Sequence, residues 1–118
     1  MNAMSNAHNP HKGSRHWWLQ RISALLLIPL TVWFMFAILD RIGDTHGRVT
    51  AWIAEPGVAP ALIAYLVVLF FHAQLGLQVI VEDYISSPGT RQKTLRALQV
   101  INWLAAAVSV YSVVRIAY

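Results

Sequence analysis

The chain has 118 residues, 57% of them hydrophobic and 12% charged, with a mean hydropathy of +0.50. A soluble domain this small has a large surface for its volume and needs about twice that share of charge to cover it, so an ordinary water-soluble globule is excluded. Cysteine is absent, which removes a disulfide framework, a cysteine-held zinc or iron–sulfur site and a thiol nucleophile, and nine Lys and Arg against five Asp and Glu leave a net charge of +4.

In a soluble protein that charge would raise the question of nucleic acid. Here the basic residues flank apolar stretches, so lipid is the expected partner and nucleic acid is not.

Residues 1–14, with Asn2, Asn6, Asn9, Pro10 and Gly13, have no apolar periodicity and are expected to form a mobile tail ahead of a single unit, 15–118. From Ile22 to Leu39 eighteen residues carry no charge, which at 1.5 Å per residue covers about 27 Å, close to the hydrocarbon thickness. This first span is expected to insert without cleavage, since it exceeds a usual signal-peptide apolar region and no small-x-small site follows it. Pro29 is a candidate kink within it. Trp17, Trp18 and Trp52 fall where a membrane interface is expected, which is sufficient reason for them.

Asp40 to Gly57 reads as a connecting loop. A second uncharged stretch, Val58 to Val81, holds only His72, Gln74 and Gln78 as strongly polar side chains and can cross with some tilt. A third, from about Ala97 to Val114, carries Gln99, Asn102, Ser109 and Ser112, with Arg115 placed to snorkel. The fold class is therefore an all-α membrane protein with three transmembrane helices, at about 16–40, 58–85 and 91–117, and no internal repeat.

Three spans put the termini on opposite sides. Lys12, Arg15 and Arg21 precede the first span, and Arg91, Lys93 and Arg96 lie between the second and third. The other loop mixes Arg41 and Arg48 with Asp40, Asp44 and Glu55. The positive-inside rule then sets the N-terminus in the cytoplasm and the C-terminus in the periplasm or its equivalent.

His72 is the most informative residue. It stands about fourteen residues into the second span, whereas His8, His11, His16 and His46 fall in expected tails or loops. A titratable group in hydrocarbon is costly and normally faces a protein interior, a water-filled cavity or a cofactor. Two readings stay open: a neutral imidazole in an interhelical hydrogen bond, or an axial ligand to haem iron. At 100° per residue, Tyr65, His72, Gly76, Val79 and Asp83 lie within about 20 to 40° of one another along one stripe. Gly76, one turn from His72, leaves room for a flat group or for a close helix. With one intramembrane histidine, a bis-histidine haem needs its second ligand from another subunit or another copy, so the haem reading carries an oligomer with it.

Asp83 and Tyr84 stand where the second span ends, before the Pro88-Gly89 turn. Each is ordinary at a helix end, yet a tyrosine hydroxyl there can hydrogen-bond a quinone carbonyl, with a nearby carboxylate assisting proton uptake. Arg21 has two readings, an interfacial anchor or a partner for a haem propionate. Gln74 and Gln78 share another face of the helix and are expected to bond to neighbouring helices.

The run His72 to Tyr84, HAQLGLQVIVEDY, resembles the second helix of the hydrophobic membrane-anchor subunit of succinate dehydrogenase, the smaller of the two anchors of complex II. His72, Ala73, Gly76, Asp83 and Tyr84 match the family pattern, and the likeness runs from RHWWLQRISA (Arg15 to Ala24) through three spans. What the resemblance implies is a bundle formed with a second, cytochrome b anchor subunit, which would supply the other axial histidine to a shared haem b. His72 is then the ligand to the haem iron, Gly76 the packing position beside it, Tyr84 the quinone hydrogen-bond donor and Asp83 its acidic neighbour. Arg21 matches a propionate-side arginine by position more than by motif.

The resemblance also implies a flavoprotein subunit that oxidises succinate, an iron–sulfur subunit that passes the electrons on, and ubiquinone as their acceptor, in the bacterial inner membrane. The chain has no flavin fold or cluster cysteines and by itself should catalyse nothing. The competing class is a small structural, assembly or transporter-protomer membrane protein with His72 as an interhelical hydrogen-bond or proton-relay residue. A transporter protomer would be expected to show repeats or several midplane polar groups.

Overall fold

The computed structural model describes residues 10–118, with side chains described from Ser14 onward. Among the described residues the regular elements are all helices: α1 (Pro10–Arg41), α2 (His46–Ile53), α3 (Val58–Tyr84) and α4 (Pro88–Ala117). α1, α3 and α4 are each long and apolar enough to cross a membrane, matching the three expected spans. With 32, 27 and 30 residues they run about 48, 40 and 45 Å, longer than the hydrocarbon layer, so their ends reach the polar interface. Most of the expected tail, including His8, lies outside the described residues, as do the side chains of His11 and Lys12. The helix backbone begins at Pro10, ahead of the boundary read from sequence, and it continues through Pro29.

Local chemistry sets the breaks between the helices. α1 ends before Gly43, whose φ of +86° is the left-handed conformation that glycine adopts without a Cβ penalty. Thr45 then caps α2, its Oγ1 accepting the Arg48 N–H at 3.3 Å. This short helix sits in the segment expected to be a loop and carries His46 at its start. Asp44 lies 3.7 Å from Arg41 and 3.8 Å from Arg48, and Trp52 stacks on Trp33 with ring centroids 6.4 Å apart while the Arg41 guanidinium covers its face at 5.4 Å. Pro88 opens α4, where its missing N–H has no helical partner to lose.

α3 is the centre of the fold, holding six of the nine residues that are buried among those described. α1 and α4 pack on its two sides and share at most a marginal contact with each other, while α2 lies against α4 and the start of α3. On the α1 side, Thr31 Oγ1 donates to the Tyr65 hydroxyl at 3.2 Å and the Phe34 and Tyr65 rings meet at 5.0 Å. On the α4 side, Asn102 Nδ2 donates to the Phe70 carbonyl at 3.0 Å, beside buried Ala106. The outer faces are strongly apolar, with Leu25, Ile28, Val32 and Phe36 exposed on α1 and Val100, Leu104 and Val108 on α4. A chain that is more apolar outside than between its helices is built for hydrocarbon as solvent.

Candidate functional site

His72 is half-buried on the α1 side of α3, and its Nδ1 lies 2.8 Å from Ser23 Oγ. Ser23, only 3% exposed, donates its hydroxyl proton to the Gln20 carbonyl at 2.9 Å in its own helix. That direction decides the histidine tautomer. A carbonyl can only accept, and a serine has one proton, so with that proton on Gln20 the Oγ can only accept from a protonated Nδ1. His72 Nδ1–H is therefore the donor, an arrangement that in the neutral imidazole leaves the lone pair on Nε2. Nε2 has no hydrogen-bond partner among the described residues and is not one of the fully enclosed polar atoms, so it opens onto the surface of the chain. An imidazole with Nδ1–H held and Nε2 free is the form that ligates a transition metal.

The α1 face that meets α3 is a column of polar side chains, His16, Gln20, Ser23 and Thr31, at helical spacing. His16 belongs to α1 and not to a tail, a correction to the sequence reading. Its Nε2 is enclosed without a partner, as is Gln20 Oε1. Gly76 lies opposite Gln20. A Cβ built on Gly76 would meet only Gln20 Nε2, at 4.0 Å, which is ordinary van der Waals contact. Packing of α1 on α3 therefore does not call for glycine there.

Asp83 and Tyr84 close α3, both exposed, Tyr84 at 84%, and neither side chain is hydrogen-bonded among the described residues. They stand eleven and twelve residues beyond His72, about 17 and 18 Å along the axis. The stripe expected on α3 divides accordingly: Tyr65 and His72 bond to α1, while Val79, at 40% exposure, and Asp83 face outward. The structure brings His72 together with Gly76 and separates both from Asp83 and Tyr84. Nor does it bring Arg21 to His72. Arg21 is exposed, its guanidinium sits 5.3 Å from the Trp17 ring centroid, and it lies about 160° around α1 from Ser23.

Two further expectations change. Gln78 Nε2 donates to Glu82 Oε1 at 3.2 Å within α3, because a partner one turn away on the same helix is nearer than any on another helix. Gln74, one turn from Phe70 on the α4 side, is 8% exposed with both amide atoms unpartnered. Ser23 had no place in the sequence reading. The signal that points to it is the spacing His16, Gln20, Ser23 and Thr31, which puts the polar residues of an apolar helix on one face.

No group of three or more His, Cys, Asp or Glu among the described residues could hold a metal ion by itself. Within the spans, His72 presents an imidazole, open on one nitrogen, on a surface that other chains can reach. Over residues 2–112 it matches the family described as succinate dehydrogenase/fumarate reductase transmembrane subunit. It is similar to the succinate dehydrogenase hydrophobic membrane anchor subunit of Rickettsia bellii, 32% identical over 109 residues that cover 92% of this chain and 86% of the relative. The subunit of the same name from Paracoccus denitrificans is 28% identical over 89% of this chain and 81% of its own length. The succinate dehydrogenase membrane anchor subunit of Reclinomonas americana is 32% identical over 75% of this chain and 77% of its own. No solved structure matches the chain. This multi-pass membrane protein belongs to the succinate dehydrogenase/fumarate reductase transmembrane subunit family, as an anchor of the hydrophobic succinate dehydrogenase type.

Proposed function

We propose that this anchor contributes His72 as one axial ligand to a haem b and Tyr84, with Asp83, to a ubiquinone site, so that electrons taken from succinate reach quinone at the membrane. The observation that carries the reading is the His72 imidazole, held through Nδ1–H and open at Nε2, inside a membrane span. The residues fit a haem shared with a second chain. One imidazole is available, no second histidine lies deep in a span, and Gly76, one turn from His72 on α3, is a glycine that packing against α1 does not require. Haem bound there supplies a one-electron redox centre within the bundle.

Every other step falls to side chains. Tyr84 O–H is free to donate to a quinone carbonyl at the interface, and the exposed Asp83 carboxylate beside it can orient that donor and pass on one of the two protons that quinone takes up with two electrons. Arg21 could reach a propionate only by leaving Trp17. The partners are a cytochrome b anchor subunit giving the second histidine, an iron–sulfur subunit and a flavoprotein subunit. Arg15 and Arg21 share one end of the bundle with Arg91, Lys93 and Arg96, which supports a bacterial inner-membrane orientation with that end in the cytoplasm.

The Ser23–His72 hydrogen bond also favours a second reading, in which His72 only joins two helices. The readings part at Nε2. The test is a dithionite-reduced minus oxidised spectrum of the assembly isolated in mild detergent through a tag on this chain, with its native partners expressed. A b-type α-band with larger subunits present is expected. A colourless assembly would reduce His72 to a helix-joining residue, and a chain that purifies alone would overturn the complex as well.

A further inference from the structure

We infer that Ser23 is a positioning residue for His72, fixing which imidazole nitrogen faces the iron and how strongly it donates; the inference rests on the haem ligation proposed above. Most other helix hydroxyls that bond a backbone carbonyl do only that. Thr94, Ser109 and Ser112 each donate to the carbonyl four residues back, and Thr50 to the one three back. Ser23 makes the same kind of bond to Gln20 and in addition receives the Nδ1–H of a histidine 49 residues away on another helix. The result is a two-link chain, Nδ1–H to Oγ and O–H to the Gln20 carbonyl, anchored on the α1 backbone.

Each link acts on His72. Donation by the serine makes its oxygen a better acceptor, because successive hydrogen bonds polarise one another. A well-accepted Nδ1–H makes Nε2 more basic, which favours the ferric over the ferrous ion and holds the ring plane in one orientation. At 3% exposure Ser23 admits no competing water from the surface. The carbonyl also blocks the alternative tautomer, since flipping the serine proton toward Nδ1 would give up the bond to Gln20.

The experiment uses the complete complex with Ser23→Ala, with the near-isosteric Ser23→Cys, whose sulfur is a weak acceptor, and with Ser23→Thr, which keeps the hydroxyl. The readouts are the haem midpoint potential and the low-spin EPR signal of the ferric state. An upward shift of the potential and a broadened EPR signal in Ser23→Ala and Ser23→Cys, with recovery toward wild type in Ser23→Thr, supports the inference. Ser23→Cys carries the test if Ser23→Ala does not assemble. A wild-type potential and EPR signal in both removal variants overturns it. His72→Ala in parallel separates the two proposals. If that variant keeps the wild-type haem spectrum, the ligation itself is wrong and the role of Ser23 falls with it, whereas loss of the spectrum with silent Ser23 variants sinks the positioning role alone.

Discussion

His72 gives its Nδ1–H to Ser23 at 2.8 Å, and no described residue takes up its Nε2. Removing the imidazole therefore separates ligation from folding. In His72→Ala the serine keeps its proton on the Gln20 carbonyl, so no buried donor is orphaned, and the interhelical bond lost is worth about 1 kcal/mol. The variant is expected to insert and to assemble with its partners while losing the b-type α-band. Subunit recovery by gel and the reduced-minus-oxidised spectrum check both halves. An unchanged band would remove His72 as the ligand.

At the end of α3 the exposed Tyr84 hydroxyl is expected to matter only for quinone. Tyr84→Phe deletes one hydroxyl from a side chain that packs little, being 84% exposed, so stability should change by less than about 0.5 kcal/mol. If that hydroxyl bonds the quinone, losing about 1.4 kcal/mol of interaction lowers quinone reductase kcat/KM about tenfold. The haem spectrum should be unaltered, since Tyr84 lies about 18 Å along the axis from His72. Wild-type quinone reduction in the variant would clear Tyr84 of this role.

The three spans were legible because hydrocarbon forbids charge, and Ile22–Leu39 and Val58–Val81 announce themselves by having none. His72 was legible for the same reason. Ser23 was not, because a serine in an apolar helix can bond its own backbone, as Ser109 and Ser112 do. Only the helix pairing distinguishes it from them. α2 was missed because eight residues, about two turns, are too short for an apolar face to stand out from a charged loop, although Thr45 ahead of it is an ordinary cap. The missing wall of the site has another cause. α1 and α4 flank α3 in a row, so a group held at Nε2 would have to be enclosed by other chains, whose residues are not in this sequence.

Arg21 gives a third prediction, from its direction and not its proximity in sequence. Its guanidinium covers Trp17 at 5.3 Å, a contact worth about 0.5–1 kcal/mol at an exposed site, and it points away from the Ser23 face. Arg21→Gln should leave the haem spectrum and midpoint potential as they are and weaken only the anchoring of the α1 end. Haem loss or a shifted potential in this variant would show that the side chain leaves Trp17 to pair with a propionate.

Gln74 supplies a fourth. Its amide is buried within this chain on the α4 side of α3, 8% exposed, with neither Nε2 nor Oε1 hydrogen-bonded. A buried amide without partners carries a desolvation cost of about 1–3 kcal/mol, and leucine has a similar volume with no polar atoms. Gln74→Leu is therefore expected to raise the stability of the purified complex by about 1–2 kcal/mol, seen as a higher midpoint of thermal dissociation. The haem spectrum should not move, because residue 74 faces away from residue 72 by about 160° around the helix. A lower midpoint would mean that the amide is satisfied in the assembled protein, by a water held between α3 and α4 or by Asn102 turning from the Phe70 carbonyl toward it. Asn102→Ala in the same background separates those two, since only the second loses its coupling to Gln74 when Asn102 is removed.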